Sequence, residues 1–447
     1  MNMEKTIVAI STPLGKGAIS IVRMSGGRAL EIASELFHAK NLDYGNIEPR
    51  KMYLGKFELE KNIFERCLMV YFKAPYSYTG EDIVEFQIHG GIIITQKILE
   101  KCLEKGAMLA EAGEFSKRAF LNGKISLDEA ESIIDVIDSE SESELKASLS
   151  LASGSLFKEV EEMQNHLTEV LAKIEVTLDY PEEDVDEAVR GDIFREIELI
   201  RDKIKKILRD SESSKYIKNG INVSIVGKTN VGKSSLLNSL LNENKAIVTN
   251  IEGTTRDSIE ASFYYKGIKI NLIDTAGIRD AVDEVEKIGI ERSKESLKNA
   301  DITLFVLDGS KEMNENDRKI KKLVEGKTHI SVINKSDMPR KLEKQDCEIE
   351  ISALSKKNID ELKEKIFNLV IKEEINFNNL IVTNQRQLCE LKEALKVTEE
   401  IFAAREQMLE IIAMLIKKLW ETLGKITGNT ENENIIDLIF SKFCLGK

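Results

Sequence analysis

The stretch GKTNVGKS (residues 227–234) sets two glycines, a lysine and a serine at the spacing G-x-x-x-x-G-K-[ST]. It follows the apolar run INVSIV and opens a helical segment, the context expected of a phosphate-binding loop. Gly227 and Gly232 let backbone N–H groups approach phosphate oxygens, with Asn230 and Val231 between them. Lys233 is placed to reach the β- and γ-phosphates, Ser234 to ligate Mg²⁺, and Ser235 follows as a further contact. DTAG (Asp274, Thr275, Ala276, Gly277) ends the run IKINLI. There Asp274 would hold Mg²⁺ through water and the Gly277 amide would sense the γ-phosphate. Between these motifs lies the loop Thr249, Asn250, Ile251, Glu252, Gly253, Thr254 and Thr255, in which Thr255 is the expected second Mg²⁺ ligand.

NKSD (Asn334, Lys335, Ser336, Asp337) ends the run HISVI. A carboxylate at Asp337 accepts two hydrogen bonds from guanine N1–H and the exocyclic amine. Adenine offers no such donor pair, so the motif predicts GTP rather than ATP. Asn334 braces the loop, and SAL (Ser352, Ala353, Leu354) offers backbone N–H to guanine O6. These elements in this order, each at the end of a strand-like run, predict a GTP-binding domain.

One position breaks the usual pattern. After Gly277 a water-orienting glutamine is common, but here the residue is Ile278, with neither donor nor acceptor. Charge and water must be handled otherwise. The Asn230 amide oxygen, with backbone carbonyls from 246–255, offers a site for a monovalent cation such as K⁺ beside the phosphates. For the water the nearby acids are Asp280, Asp283, Glu284 and Glu286, and spacing does not choose among them.

The surrounding elements fall into textures. Residues 1–120 mix short β-branched runs with glycine turns and predict an α+β domain. From 121 to 218 the pattern is helical. Leu156, Val160, Met163, Leu167, Leu171 and Ile174 share one predicted face, and Ile193, Ile197, Ile200, Ile204 and Ile207 share another. DYPEEDVDE, with Pro181, predicts an acidic turn between them. Residues 219–378 alternate strands and helices, which predicts a mainly parallel sheet with a hairpin at Lys266-Gly267. Helical texture returns over 379–447, so the α/β domain is expected as an insertion into a helical bundle.

The chain has 447 residues, 42% of them hydrophobic and 32% charged, enough for several packed cores. Five dispersed cysteines point to a reducing compartment rather than a disulfide framework. No apolar run reaches the roughly 18 residues needed to span a membrane, and a cytoplasmic location is expected. A net charge of −13 opposes strong, unaided binding to nucleic acid.

Taken together, GKTNVGKSSLLN, AIVTNIEGTTRD, DTAGIR, DEVEKIGIERS, YTGEDIVEFQIHGG, GEFSKRAFLNGKISLDEAE and the terminal FCLGK resemble the MnmE (TrmE) family of tRNA-modifying GTPases from end to end. The resemblance implies an N-terminal tetrahydrofolate-binding and dimerising domain, a helical domain and an inserted Ras-like G domain. It implies a homodimer that works with MnmG (GidA), an FAD-containing partner, on the wobble uridine of certain tRNAs. The one-carbon unit would come from a 5,10-methylene or 5-formyl tetrahydrofolate. It implies K⁺-stimulated GTP hydrolysis, with Asn230, Thr249, Ile251 and Thr254 as K⁺ ligands and Glu286 as the acid acting in hydrolysis. For folate it implies Arg23, Glu85, Lys124 and Lys447, while Cys444 near that site has no assigned role. The competing expectation is a ribosome-assembly GTPase of the Era or Der type. That reading predicts a basic RNA-binding module after the G domain, where this chain has helices of mixed charge.

Overall fold

The computed structural model describes residues 5–40, 42–179, 185–241, 259–273, 300–345, 348–371, 376–377, 379–443 and 446, with backbone alone at 185–189 and 259–260. The chain forms two compact units: Met1–Ile134 with Leu151–Ile204 and Asn384–Lys447, and Asp135–Ser150 with Lys205–Thr383.

In the first unit the β-branched runs form strands β1 (Ile7–Ile10), β2 (Ile19–Ser25), β3 (Phe37–His38), β4 (Met52–Glu60), β5 (Ile63–Phe72), β6 (Ile83–His89) and β7 (Met108–Leu109). Among the described residues they make a seven-stranded sheet in the order β3-β4-β5-β6-β2-β1-β7. Neighbours are antiparallel except for the parallel pair β1–β7. Side-chain alternation divides the two faces. Val22 and Met24 join Phe57, Met69 and Phe86 in a core closed by helices Ala29–Leu36 and Ile92–Glu104. The first helix supplies Ala29, Ile32, Ala33 and Leu36, a stripe at helical spacing. The opposite face of β2 carries Arg23, in register with Glu85 of β6. On that side Phe115, from helix Glu114–Leu121, packs against Ile7, Ala9 and Ala110.

The same unit holds long amphipathic helices. In Ser155–Asp179 the buried apolar stripe is Leu156, Val160, Met163, Leu167, Val170 and Ile174. Val170 takes the place expected for Leu171, which is only half-buried. The reason is geometric: a step of three from Leu167 followed by four keeps a 3.6-residue period centred, whereas a step of four moves to the flank. The predicted isoleucine face is buried at Ile193, Ile197, Ile200 and Ile204, and also at Ile207, which falls in the second unit. Arg386, in helix Gln385–Ala403, is bidentate to Glu131 of helix Leu127–Asp138 at 2.9 and 2.7 Å. Arg386 also donates to the carbonyls of Lys425 and Ile426, at the end of helix Leu409–Thr427. The acidic turn expected around Pro181 lies outside the described residues. Among the described residues no helix is long and apolar enough to cross a membrane.

In the second unit the strands are β8 (Ile221–Val226), β9 (Ile259–Tyr265), β10 (Ile268–Ile273), β11 (Ile302–Asp308), β12 (His329–Asn334) and β13 (Glu348–Glu350). Their order is β13-β12-β11-β8-β10-β9, parallel except at the β9–β10 hairpin. That hairpin turns at Lys266 (φ 48°) and Gly267 (φ 79°), two positive φ values as a tight two-residue turn requires. β11 is buried at every position, the signature of a parallel strand covered on both faces. The core of this unit also takes in Ala147, from helix Glu142–Ala152. From β8 the chain goes to β10 on one side of it and then to β11 on the other. That reversal opens a crevice at the carboxyl ends of the strands.

Candidate functional site

The crevice is lined by the loop that leaves β8. Gly227 presses so closely on β11 that a Cβ there would stand 2.5 Å from Val306 O. Asn230 adopts φ 64°, a left-handed conformation that asparagine tolerates better than most residues. A Cβ on Gly232, at φ 97°, would collide with Asn334 Nδ2. Glycine is therefore required at both ends of the loop, once for the strand beside it and once for the asparagine of the next motif. Lys233 opens helix Lys233–Leu241, and its Nζ folds back to donate to Gly227 O at 2.7 Å and Lys228 O at 2.8 Å. Burial lowers its pKa from the ordinary lysine value. An anion held here would give that ammonium a stronger partner than two carbonyls.

The ends of β12 and β13 supply the second wall. Asn334 is 3% exposed and bonded at both ends of its amide: Nδ2 donates to Val231 O at 2.8 Å, while Oδ1 accepts from Lys335 N at 2.8 Å and Ala353 N at 3.0 Å. One side chain thus ties the phosphate loop to both base-side loops. The Ala353 amide is already engaged by Asn334, which bears on the expectation that this segment offers N–H to guanine O6. Asp337 Oδ1 accepts from Ser352 Oγ at 2.6 Å. That bond, its own backbone N–H and nearby Lys335 hold the Asp337 carboxyl below the usual carboxylate range. Asp337 is therefore an ionised acceptor at neutral pH, as recognition of two N–H donors demands. Leu354 is 87% exposed beside it. Ser336 anchors its loop through its backbone N–H to Ile351 O at 3.0 Å.

Lys335, at φ 68°, donates from Nζ to Asp308 Oδ2 at 2.7 Å and to Asn230 O at 3.2 Å. Burial pushes the Asp308 carboxyl up, but Lys335 and Ser310 outweigh it and the net shift is downward. Asp308 was not anticipated from sequence, although an aspartate ending the strand ITLFVLD was available as a signal. The structure brings together Asn230, Val231, Gly232, Lys233, Ser234, Ser235, Asn334, Lys335, Ser336, Asp337, Ser352, Ala353 and Leu354 around this crevice. Residues 249–255 and 274–277, and Glu286, lie outside the described residues.

A second candidate site lies in the first unit. Arg23 Nε donates to Glu85 Oε1 at 2.8 Å across β2 and β6. The pair lines a cavity of about 340 Å³ with Phe72, Tyr78, Ile83 and Ile133. Tyr78 Oη and Ser116 Oγ are 2.8 Å apart at its side. Behind it Arg118, 5% exposed, donates to Glu81, Glu114 and Lys5 O. Glu81 in turn accepts from Ser25 at 2.7 Å. This network clamps YTGEDIVEF to GEFSKRAFLNGK. A cation–carboxylate pair on an apolar, aromatic wall suits a flat heterocycle that carries both donors and an anionic group. Lys124 is exposed and packs near Gly80, outside the lining set. Lys447 and Cys444 lie outside the described residues; Gly446, between them, accepts from Ser11 Oγ at 3.1 Å. The lining residues Phe72, Tyr78, Ile83 and Ile133, and Arg118 behind them, escaped sequence reasoning because no spacing rule links them.

Comparison with known proteins gives a consistent picture. Residues 6–124 match the family model "GTP-binding protein TrmE N-terminus", and residues 127–444 match "MnmE helical domain". The chain is 43% identical to the tRNA modification GTPase MnmE of Clostridioides difficile (strain 630), covering 100% of both chains. It is 41% identical to the MnmE of Alkaliphilus metalliredigens (strain QYMF), again over 100% of each. Among solved structures, the G domain of the T. maritima FeoB iron transporter is 26% identical, with 33% of this chain and 97% of that chain covered and a TM-score of 0.24. An Aquifex aeolicus Era variant bound to GDP and AlF4⁻ is also 26% identical, with 42% and 69% covered and a TM-score of 0.25. Two family models that between them span nearly the whole sequence, and relatives aligned along their full lengths, place this chain in the MnmE (TrmE) family of tRNA modification GTPases.

Proposed function

We propose that this chain hydrolyses GTP at the carboxyl ends of the six-stranded sheet and uses the turnover in modifying C5 of the wobble uridine of certain tRNAs. Asn334 carries the reading: it joins the phosphate loop to the base-side loops through Val231 O and the Ala353 amide. Binding phosphate and recognising base are therefore one structural event. Asp337, kept ionised by Ser352, selects guanine. Lys233 would exchange two loop carbonyls for the phosphates, and Ser234 with Thr255 would hold Mg²⁺, whose positive charge would offset that of the phosphate oxygens. Asp274 would hold the same ion through water, and the Gly277 amide would sense the γ-phosphate.

Because Ile278 has no polar group, charge compensation is assigned to K⁺ held by Asn230, Thr249, Ile251 and Thr254, and the water to Glu286. Asn230 fits this role in one respect: its side chain is exposed at the loop and has no hydrogen-bond partner among the described residues.

The cavity at Arg23 and Glu85 is assigned to a tetrahydrofolate carrying a one-carbon unit. Glu85 would accept from the pterin N–H groups, and Arg23, Lys124 and Lys447 would meet anionic groups of the glutamate tail. The chain acts as a homodimer with MnmG, whose FAD supplies the redox chemistry. With a net charge of −13, this chain leaves much of the grip on tRNA to that partner. The test is nucleoside analysis of tRNA from cells lacking the gene. Loss of a C5-substituted wobble uridine supports the reading, and an unchanged nucleoside profile refutes it.

A further inference from the structure

Lys228, the second residue of the phosphate loop, belongs to neither the phosphate-binding nor the metal-binding set. Its ammonium is nevertheless held 2.7 Å from Asp317 Oδ2. Asp317 is 1% exposed and lies in the first turn of helix Glu315–Val324. There it closes a capping box: its N–H donates to Asn314 Oδ1 at 3.0 Å, and its Oδ2 accepts from Asn314 N at 3.1 Å. A cap of this kind needs an acceptor but not a buried charge. A cation near a helix N-terminus is disfavoured by the helix dipole, so Lys228 is drawn there by the carboxylate alone. Asp317 Oδ1 has no partner among the described residues, which leaves Lys228 as the cation that balances this carboxylate.

The backbone end of Lys228 meets the lysine of the phosphate-loop motif. Its carbonyl accepts from Lys233 Nζ at 2.8 Å. The residue before it, Gly227, is pressed against Val306 O. The entry of the loop is thus fixed on two sides, by β11 and by the helix that Asp317 caps. Taking the nucleotide reading of this loop as given, we propose that the Lys228–Asp317 pair is a positioning brace that holds the loop in its phosphate-receiving shape. The brace acts before any γ-phosphate is present, so it serves GDP and GTP alike. Holding the loop in advance removes an ordering cost from binding and does not touch the chemical step.

The test is binding of a fluorescent GDP analogue to the full chain, with Lys228→Met, Lys228→Arg, Asp317→Asn and the Lys228→Met/Asp317→Asn double variant. Loss of one charge-assisted bond predicts about tenfold weaker GDP binding for Lys228→Met and Asp317→Asn. The double variant should bind no more weakly than either single one, and Lys228→Arg should stay within about twofold of wild type. The KM for GTP should rise by the same factor while kcat holds. Asparagine keeps the cap acceptor, so Asp317→Asn carries the test should Lys228→Met fail to fold. Single variants that bind like wild type, losses that multiply in the double variant, or Lys228→Arg as weak as Lys228→Met would each overturn the brace. Wild-type protein that binds no GDP would defeat the nucleotide reading itself; wild-type binding with unaffected variants would defeat only the brace.

Discussion

In the six-stranded sheet the candidate site is built from loops at strand ends, tied together by buried side chains such as Asn334. In the seven-stranded sheet the candidate site is built on the strands themselves, with Arg23 and Glu85 side by side on one face between apolar walls. The first kind of site needs glycine where loops press together, and contiguous motifs record that need. The second needs only that two strands pair in one register, which leaves no local mark. The two sites should therefore fail in different ways, and separately.

The largest effect is expected at the base. Asp337→Asn replaces an ionised acceptor by an amide with a donor, and should weaken GTP binding by about 10²–10³-fold. The amide in turn matches the extra carbonyl of xanthine, so affinity for xanthosine triphosphate should rise, as competition binding would reveal. If GTP binding survives the change, the guanine assignment falls. Next, Glu286→Ala should slow hydrolysis by about 10²-fold with GTP affinity nearly unchanged, measured by single-turnover phosphate release. A normal rate would return the water to Asp280, Asp283 or Glu284. Asn230→Ala should remove the response to K⁺ while GTP still binds; an intact response refutes its role as a ligand.

Those variants probe the loop-built site, and the contrast sharpens when the other site is broken. Arg23→Ala leaves Glu85 without its partner in a half-buried cavity, and should weaken tetrahydrofolate binding by about 10–100-fold by calorimetry. GTP turnover measured without folate or partner should be unchanged. A parallel loss of GTP turnover would mean that the two sites are not separable.

This difference also explains what could be read from the chain alone. The phosphate loop, NKSD and SAL announced the crevice, and alternating strand and helix runs announced a parallel sheet. The Arg23–Glu85 pair came only through resemblance, because on composition both read as surface charges. Arg118 stands in GEFSKRAF as one more cation, yet it is buried, donating to Lys5 O and Glu81 from distant segments and to Glu114 one turn earlier in its own helix. Likewise nothing in ESELKASLSLA marks Ala147 for the core of the six-stranded sheet; only the tertiary path does that.

The smallest effect concerns stability in the first unit. Asp128 is fully buried, accepts from Ser126 Oγ at 2.6 Å, and among the described residues has no partner for Oδ2. Burial, which outweighs the Ser126 bond and is helped by Glu129 and Glu131, pushes its carboxyl up to about 6. An acid with a raised folded-state pKa binds its proton better when folded. The penalty therefore grows as pH rises from the ordinary aspartate value toward about 6, and is complete above it. Asp128→Asn should stabilise the chain by about 1–3 kcal/mol at neutral pH and by less near pH 5. Thermal melts at both pH values check this, and an equal shift at both would show that the carboxyl carries no such penalty.

The central claim is that a potassium ion beside the phosphates does what no side chain at Ile278 can do. Steady-state GTP turnover by the full-length protein, in buffers matched for ionic strength with either potassium or sodium as the sole monovalent cation, tests it most directly. Turnover about 10- to 100-fold faster in potassium is the predicted result; equal rates in the two buffers would contradict it.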